Sequence, residues 1–156
     1  MEFRSKVRTC LWFAKGGHEA AKFYVSLLPD SRIDAVYAHG RPEDPMVVEF
    51  TLSSAPMMIL TAGPIYEQTP AASISVLTKD QVETDALWSA LTADGGRESM
   101  CGWLIDRFGV SWQIVPEAPP RLLGLPDAAA AARAQQALMG MKKIDIAALL
   151  AAANGN

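Results

Sequence analysis

The chain has 156 residues, a length that suits one compact domain, and half of the residues are apolar, enough for a substantial core. The net charge of −3 argues against a nucleic-acid partner, for which a basic face is expected. There is no run of about 18 or more apolar residues that would predict a membrane span, and the first six residues lack the apolar stretch of a signal peptide. We therefore expect a cytoplasmic protein with neither a nucleic-acid nor a membrane partner.

The first part of the chain has the pattern of a strand, a helix and three more strands. Apolar runs rich in β-formers predict the strands, apolar residues at helical spacing predict the helix, and glycine, proline and serine mark the turns. Residues 63–70 are interpreted as a loop. The predicted elements are a strand at 7–13, a helix at 18–28 and strands at 33–38, 46–52 and 57–61.

The same order of elements is predicted again after the loop. A strand at 73–77 leads into a helix for which Thr78 and Gln81 have the spacing of a capping box. The expected buried face of this helix includes Val82, Ala86, Leu87, Ala90 and Leu91, and Gly95-Gly96 end it. Strands are predicted at 97–101, 102–107 and 110–115. Asp106 and Arg107 flank the last turn, where we expect them to stabilise it or form an ion pair.

This repetition predicts an internal repeat of about 64 residues, with Phe23-Tyr24 and Leu87-Trp88 in comparable places. We expect a single domain over residues 1–156, with a first module at 5–62, a second at 71–116 and a helical tail at 117–153. Asp127 is a predicted N-cap in the tail. The tail helices carry few large apolar residues, so we expect them to lie against the sheet or across a dimer interface rather than to form a core of their own.

Cys10 and Cys101 lack the spacing of a zinc site and are predicted to be free thiols in a reducing compartment. Both fall in apolar stretches that read as strands. We therefore expect both to act as small buried hydrophobic side chains.

Several stretches match the pattern of a known family. They are Leu11-Trp12-Phe13, Phe23-Tyr24 and residues 28–33 in the first module, Asp106-Arg107-Phe108-Gly109 and residues 111–116 in the second, and residues 137–146 in the tail. These stretches resemble the PhnB-like subgroup of the vicinal oxygen chelate superfamily, which includes glyoxalases and bleomycin-resistance proteins. The resemblance implies an α+β fold in which tandem βαβββ modules form a cupped, mixed or antiparallel sheet, with C-terminal helices added.

Members of this subgroup are often labelled 3-demethylubiquinone-9 3-methyltransferase. A methyltransferase that uses S-adenosylmethionine normally has a parallel sheet with a glycine-rich turn after its first strand. Here the strands after each helix are close in sequence and so are expected to be antiparallel, because a parallel return needs a crossover of about a dozen residues or more. Gly16-Gly17 is interpreted as a turn. We therefore set the label aside as a guide to activity.

The resemblance also implies four positions for ligands of a divalent metal ion. They fall near Thr9, at Glu49, near Ala71 or Ser73, and near Gln113 or Val115. Glu49 is the only good match, and a stable site needs at least three protein ligands. The sequence therefore predicts no metal and no cofactor, with a divalent metal as the alternative.

Glu49 has two interpretations. It is either a cavity carboxylate, and the one catalytic candidate, or a solvent-facing residue on a strand whose Val48 and Phe50 point inward. Trp12, Trp103 and Trp112 likewise either line an aromatic cavity or pack in the core. The predicted ligand-binding residues are Trp12, Glu49, Trp103 and Gln113.

Three functions stay open on this basis. The leading hypothesis is a homodimeric, metal-free protein that binds a small aromatic or apolar metabolite. The first alternative is a divalent-metal-dependent isomerase, lyase or dioxygenase of the same superfamily. The second is a non-catalytic structural or regulatory dimer.

Overall fold

The computed structural model describes residues 5–155. The contacts within it separate the chain into two compact units, one ending at Gln68 and the other beginning at Thr69. The first four residues, part of the stretch that argues against a signal peptide, lie outside the described residues. None of the helices in the described part of the chain combines the length and the apolarity needed to cross a bilayer.

The first unit is a four-stranded sheet with one helix. Strand β1 is parallel to β4, and the other neighbouring pairs, β4–β3 and β3–β2, are antiparallel. Every element lies within two residues of its predicted bounds. The elements are β1 (Thr9–Phe13), α1 (Gly17–Leu27), β2 (Arg32–Tyr37), β3 (Val47–Leu52) and β4 (Ala55–Thr61).

Alternation along the strands divides the first sheet into two faces. Val48, Phe50 and Ile59 are almost fully buried, and the ring of Phe50 lies 6.5 Å from that of Tyr24 on α1. Burial of such side chains stabilises the fold by roughly 1.5–3 kcal/mol each. The neighbouring residues point the other way because successive side chains alternate. We call this opposite side the open face of the first sheet; it carries Cys10, Trp12, Ala35, Glu49 and Met58.

The second unit repeats the same order of elements. Tyr24 and Trp88, which the repeat places in comparable positions, are both buried. Strand β5 is parallel to β8, and the order across the sheet is β5-β8-β7-β6. The elements are β5 (Ile74–Thr78), α2 (Gln81–Thr92), β6 (Arg97–Glu98), β7 (Trp103–Ile105) and β8 (Ser111–Pro116). The predicted fold class, tandem βαβββ modules with mixed sheets, is confirmed.

The capping box of α2 begins two residues later than predicted. The Asp80 carboxylate accepts from the Glu83 amide at 2.9 Å, and the Glu83 carboxylate accepts from the Lys79 amide at 2.8 Å. Thr78 is instead the buried last residue of β5, and its hydroxyl is 2.7 Å from that of Thr84.

The predicted buried face of α2 is partly wrong. Thr84, Leu87, Trp88 and Leu91 are buried, whereas Val82 and Ala86 are exposed. The buried positions have the i, i+3, i+4, i+7 spacing of one helix face, and that face includes Trp88. Its indole nitrogen donates to Glu98 at 2.9 Å.

The hairpin turn before β8 is held by one carboxylate. Asp106 is buried and accepts from the amides of Phe108 and Val110 and from the Trp112 indole nitrogen, at 2.8, 3.0 and 2.9 Å. Arg107 forms an ion pair with Asp94 at 3.1 Å. Both residues have the structural roles expected of them.

The tail forms three helices: α3 (Ala118–Leu123), α4 (Ala128–Met139) and α5 (Ile146–Asn154). Asp127 caps α4, as predicted, by accepting from the amides of Ala129 and Ala130. The expectation that these helices have no core of their own is wrong, because the small alanines of α4 allow a close approach. Their buried cluster consists of Leu122, Ala134, Ile144, Leu149 and Ala153.

Both cysteines are free thiols, but Cys10 is exposed and Cys101 is half-buried, so the expectation of two buried cysteines is wrong. Cys10 alternates with the core residues Leu11 and Phe13 and so lies on the open face. Cys101 lies in a turn, with φ of 57°, rather than in a strand.

Candidate functional site

The open face of the first sheet carries a cleft of about 520 Å³. This volume lies within the range of small-molecule sites, which is roughly 300–1,000 Å³. Its apolar lining includes Ala35 and Pro56, together with Phe50 and Met57, whose side chains are buried on the other face. Its charged lining residues are Arg8, Arg32, Asp34 and Glu49, and its hydroxyl-bearing ones are Ser5, Tyr37, Thr51 and Ser54.

Glu49 forms an ion pair with Arg8 inside this cleft. The Arg8 Nη1 and Glu49 Oε1 atoms are 2.7 Å apart, and the two side chains are 23% and 13% exposed. Glu49 reaches the cleft because Val48 and Phe50, its neighbours on β3, fill the core under α1. A pair so shielded from water depends on both partners, since losing either leaves a partly buried charge uncompensated.

An irregularity in β2 creates the second charged pair. The register of β2 against β3 shifts between Ile33 and Ala35, which is a β-bulge, and bulges redirect side chains. Asp34 at this bulge accepts from the Thr51 hydroxyl at 2.6 Å and lies 2.9 Å from the Arg32 Nε atom. The bulge therefore fixes a carboxylate and a guanidinium beside the cleft.

Trp12 shares the open face with Glu49 but does not line the cleft. Its indole nitrogen donates to the Gly63 carbonyl at 2.8 Å, and its own carbonyl accepts from the Gln68 side chain. Its ring meets that of Tyr66 edge to face, with centroids 4.9 Å apart. Trp12 thus holds the loop that follows β4 against the sheet.

Trp103 and Gln113 are direct cross-strand partners on β7 and β8 of the second sheet. They lie on the face away from α2, since their neighbours Leu104 and Ile114 are buried. The Gln113 amide donates to the Ser73 hydroxyl at 2.8 Å. Trp112 is only 1% exposed, so of its two interpretations core packing is the one the structure shows.

The four predicted site residues therefore lie on two different sheets. Trp12 and Glu49 share the open face of the first sheet, and Trp103 and Gln113 are neighbours on the second. Their role in binding stays a prediction. The sequence did not single out Arg8, Arg32 or Tyr37 as site residues. Alternation places Arg8 on the same side of the sheet as Cys10. Its contact with Glu49, however, joins residues that are 41 positions apart in sequence.

Partial burial raises the pKa of the Cys10 thiol, and the Arg8 guanidinium opposes this rise. A thiol with a raised pKa is protonated at neutral pH and is a poor nucleophile, because the thiolate is the reactive form. Cys10 therefore carries less thiolate at neutral pH than an unperturbed cysteine does.

The described residues do not fit a resident divalent metal. Thr9 lies on the same side of β1 as the core residue Leu11, away from the open face. Glu49 is paired with Arg8, and Ser73 and Gln113 are hydrogen-bonded to each other. Over residues 5–155 there is no group of three or more His, Cys, Asp and Glu side chains placed to hold a metal ion. The absence of a bound metal stays a prediction.

Comparison with known proteins identifies the family. A family model described as 3-demethylubiquinone-9 3-methyltransferase matches residues 5–115. A PhnB protein from Bacillus cereus, described with the same family name, is 28% identical, with a TM-score of 0.66 over 72% of this chain and 99% of that one. A Pseudomonas aeruginosa protein is 25% identical, with a TM-score of 0.61 over 72% of this chain and 98% of that one.

A more distant likeness concerns the fold alone. The fosfomycin resistance protein FosX from Listeria monocytogenes is 10% identical, with a TM-score of 0.56 over 80% of this chain and 100% of that one. No curated protein sequence matches the chain.

Two βαβββ units, each with an open sheet face opposite its helix, define a protein of the glyoxalase, or vicinal oxygen chelate, fold. Within it, the chain belongs to the family described as 3-demethylubiquinone-9 3-methyltransferase, and the PhnB-like resemblance is confirmed. The family description does not decide the activity. In the described residues only the β1–β4 and β5–β8 pairs are parallel, unlike the parallel sheet of methyltransferases that use S-adenosylmethionine.

Proposed function

We propose that the protein binds a small metabolite, without a metal ion, in the cleft on the open face of its first sheet. The supporting observation is the Arg8–Glu49 pair, which places two complementary charges inside a cleft rather than on an outer surface. The cost of removing two charges from water offsets much of the attraction in a shielded ion pair, so folding alone gives little reason to keep this one. Binding gives a reason, because fixed charges orient a ligand.

The proposed ligand has an apolar or aromatic part and a polar part. Ala35 and Pro56 offer the apolar portion of the lining, and Arg8 and Glu49 offer the polar portion. The proposed location is the cytoplasm, where free thiols such as Cys10 and Cys101 are maintained.

We expect a metabolite that binds the cleft to raise the melting temperature of the protein, because it binds the folded state only. The measurement is a thermal-shift screen of the purified protein against a metabolite panel. Glu49→Gln should reduce the shift of each hit, since the substitution removes the charge that holds Arg8. The matched control is Glu43→Gln, an exposed residue outside the cleft, which should leave the shift unchanged.

Two results would contradict this proposal. If Glu49→Gln and Glu43→Gln change the melting-temperature shift of each hit equally, the hits bind elsewhere. If no metabolite in the panel raises the melting temperature, a structural or regulatory role is favoured. Metal analysis of the same sample tests the enzymatic alternative, because stoichiometric divalent metal that is lost in Glu49→Ala would overturn the metal-free proposal.

We also propose that the protein is a homodimer. The described tail helices and the segments beside them leave large apolar side chains exposed, which a second copy of the chain would cover. Light scattering at micromolar concentration should give the mass of two chains, and the mass of one chain, 16.8 kDa, would refute the dimer. The exposed residues are Leu123, Leu125, Met139 and Leu150.

A further inference from the structure

The polar groups of the cleft differ in whether they already have partners. Both carboxylates are engaged, Glu49 by Arg8 and Asp34 by Arg32 and Thr51. Arg32 reaches Asp34 through Nε. Its two terminal nitrogens, with four N–H donors, have no partner among residues 5–155. The cleft therefore has donors to offer rather than acceptors.

Asp34 holds Arg32 in place for this role. Its side chain is 12% exposed and is fixed by the Thr51 hydroxyl, whereas that of Arg32 is 55% exposed. The stem of Arg32 is thus anchored while its guanidinium stays accessible to a ligand. A guanidinium anchored through Nε keeps its planar pair of terminal nitrogens for a bidentate contact with an oxyanion.

Two hydroxyl groups add to these donors. Tyr37 and Ser54 line the same cleft as Arg32, and within the described residues neither side chain has a hydrogen-bond partner. A ligand with a cationic amine would find the carboxylates engaged. A ligand with two or three acceptor oxygens could accept hydrogen bonds from the Arg32 guanidinium and from the hydroxyl groups of Tyr37 and Ser54.

We propose that the cleft recognises an oxyanionic group, a carboxylate or a phosphate, through Arg32, with Asp34 as the residue that positions it. This inference rests on the proposed function, since it names the chemistry of the ligand at the same cleft. The apolar lining takes the rest of the molecule. Because the charged contact is partly exposed, its contribution to binding weakens as salt is added.

The experiment compares four probes of similar size by calorimetric titration of the full chain: benzoate, phenyl phosphate, benzyl alcohol and benzylamine. We expect benzoate or phenyl phosphate to bind at least tenfold more tightly than the other two. Which of these two binds more tightly distinguishes a carboxylate from a phosphate ligand. This preference should shrink at high salt.

Arg32→Met should reduce the affinity for the preferred anion by about 10- to 100-fold, because it removes a bidentate charged contact while keeping an unbranched apolar stem. Arg32→Lys should be intermediate, since it keeps the charge without the fork. Asp34→Asn should weaken anion binding but not benzyl alcohol binding, which a general loss of structure would weaken equally. Arg97→Met, an exposed arginine of the second unit, is the matched control and should change nothing.

The outcomes separate the two proposals. Equal affinity for all four probes, with no effect of Arg32→Met, would overturn the oxyanion inference and leave a small-molecule site in place. Preference for benzylamine would also overturn it. Both proposals would be overturned if none of the four probes binds and the thermal-shift screen finds no metabolite that raises the melting temperature.

Discussion

Replacing Gly17 by alanine is expected to destabilise the protein by about 3 kcal/mol, the upper part of the range for overpacked cores. A Cβ atom at this position would lie 2.3 Å from Thr61 Oγ1 and 2.4 Å from Ile59 Cγ2. Both neighbours are fully buried, so neither can move aside without disturbing the sheet. Gly17 is therefore the residue that lets α1 approach the strands under the open face.

The neighbouring glycine provides a matched control. Gly16 has φ of 73° and no atom within 4 Å of its ideal Cβ position, so Gly16→Ala meets backbone strain but no clash. Such strain costs roughly 1–2 kcal/mol. Urea unfolding followed by tryptophan fluorescence measures both variants. If Gly17→Ala lowers the free energy of unfolding by no more than Gly16→Ala does, α1 does not need a glycine at position 17 to pack against the sheet.

Asp106→Asn is expected to lower the free energy of unfolding by about 3 kcal/mol. The carboxylate accepts three hydrogen bonds, including one from the buried Trp112 indole, and hydrogen bonds to a charged group contribute about 1.5–3 kcal/mol each. An asparagine keeps one acceptor oxygen, so at least one buried donor loses its partner. Urea unfolding with Trp112 among the reporting fluorophores is the measurement.

Asp94→Asn is the matched control for this change. Asp94 is an exposed partner of Arg107, and removing such a pair costs less than about 1 kcal/mol. Asparagine also tolerates the positive φ of 54° at this position. If the two variants lose the same amount of stability, Asp106 does not hold the last hairpin as the structure indicates.

The order of elements could be predicted from the sequence because its signals are local. Turn residues and apolar alternation place the strands and helices of the modules in order, and the repeat reinforces each assignment, although β6 covers only Arg97–Glu98 of the strand predicted at 97–101. The cap and the buried face of α2 were harder to predict. Thr78 and Asp80 are both good capping residues, and only the extent of β5 decides between them.

The candidate site could be predicted only in part, because it depends on strand register. Alternation shows that Glu49 points away from Val48 and Phe50, but not which side α1 covers. The partnership with Arg8 needs the parallel pairing of β1 with β4 and the antiparallel pairing of β4 with β3, which joins residues far apart in sequence. The bulge at Asp34 has no signal of its own in the sequence, so the role of Arg32 could not be foreseen.

An X-ray structure of crystals soaked with the best hit of the thermal-shift screen would test most directly where a small molecule is held. We predict electron density for the hit beside Glu49, in the hollow on the helix-free side of the first sheet. Density confined to any other part of the molecule, with that hollow closed by the protein's own side chains, would contradict this account.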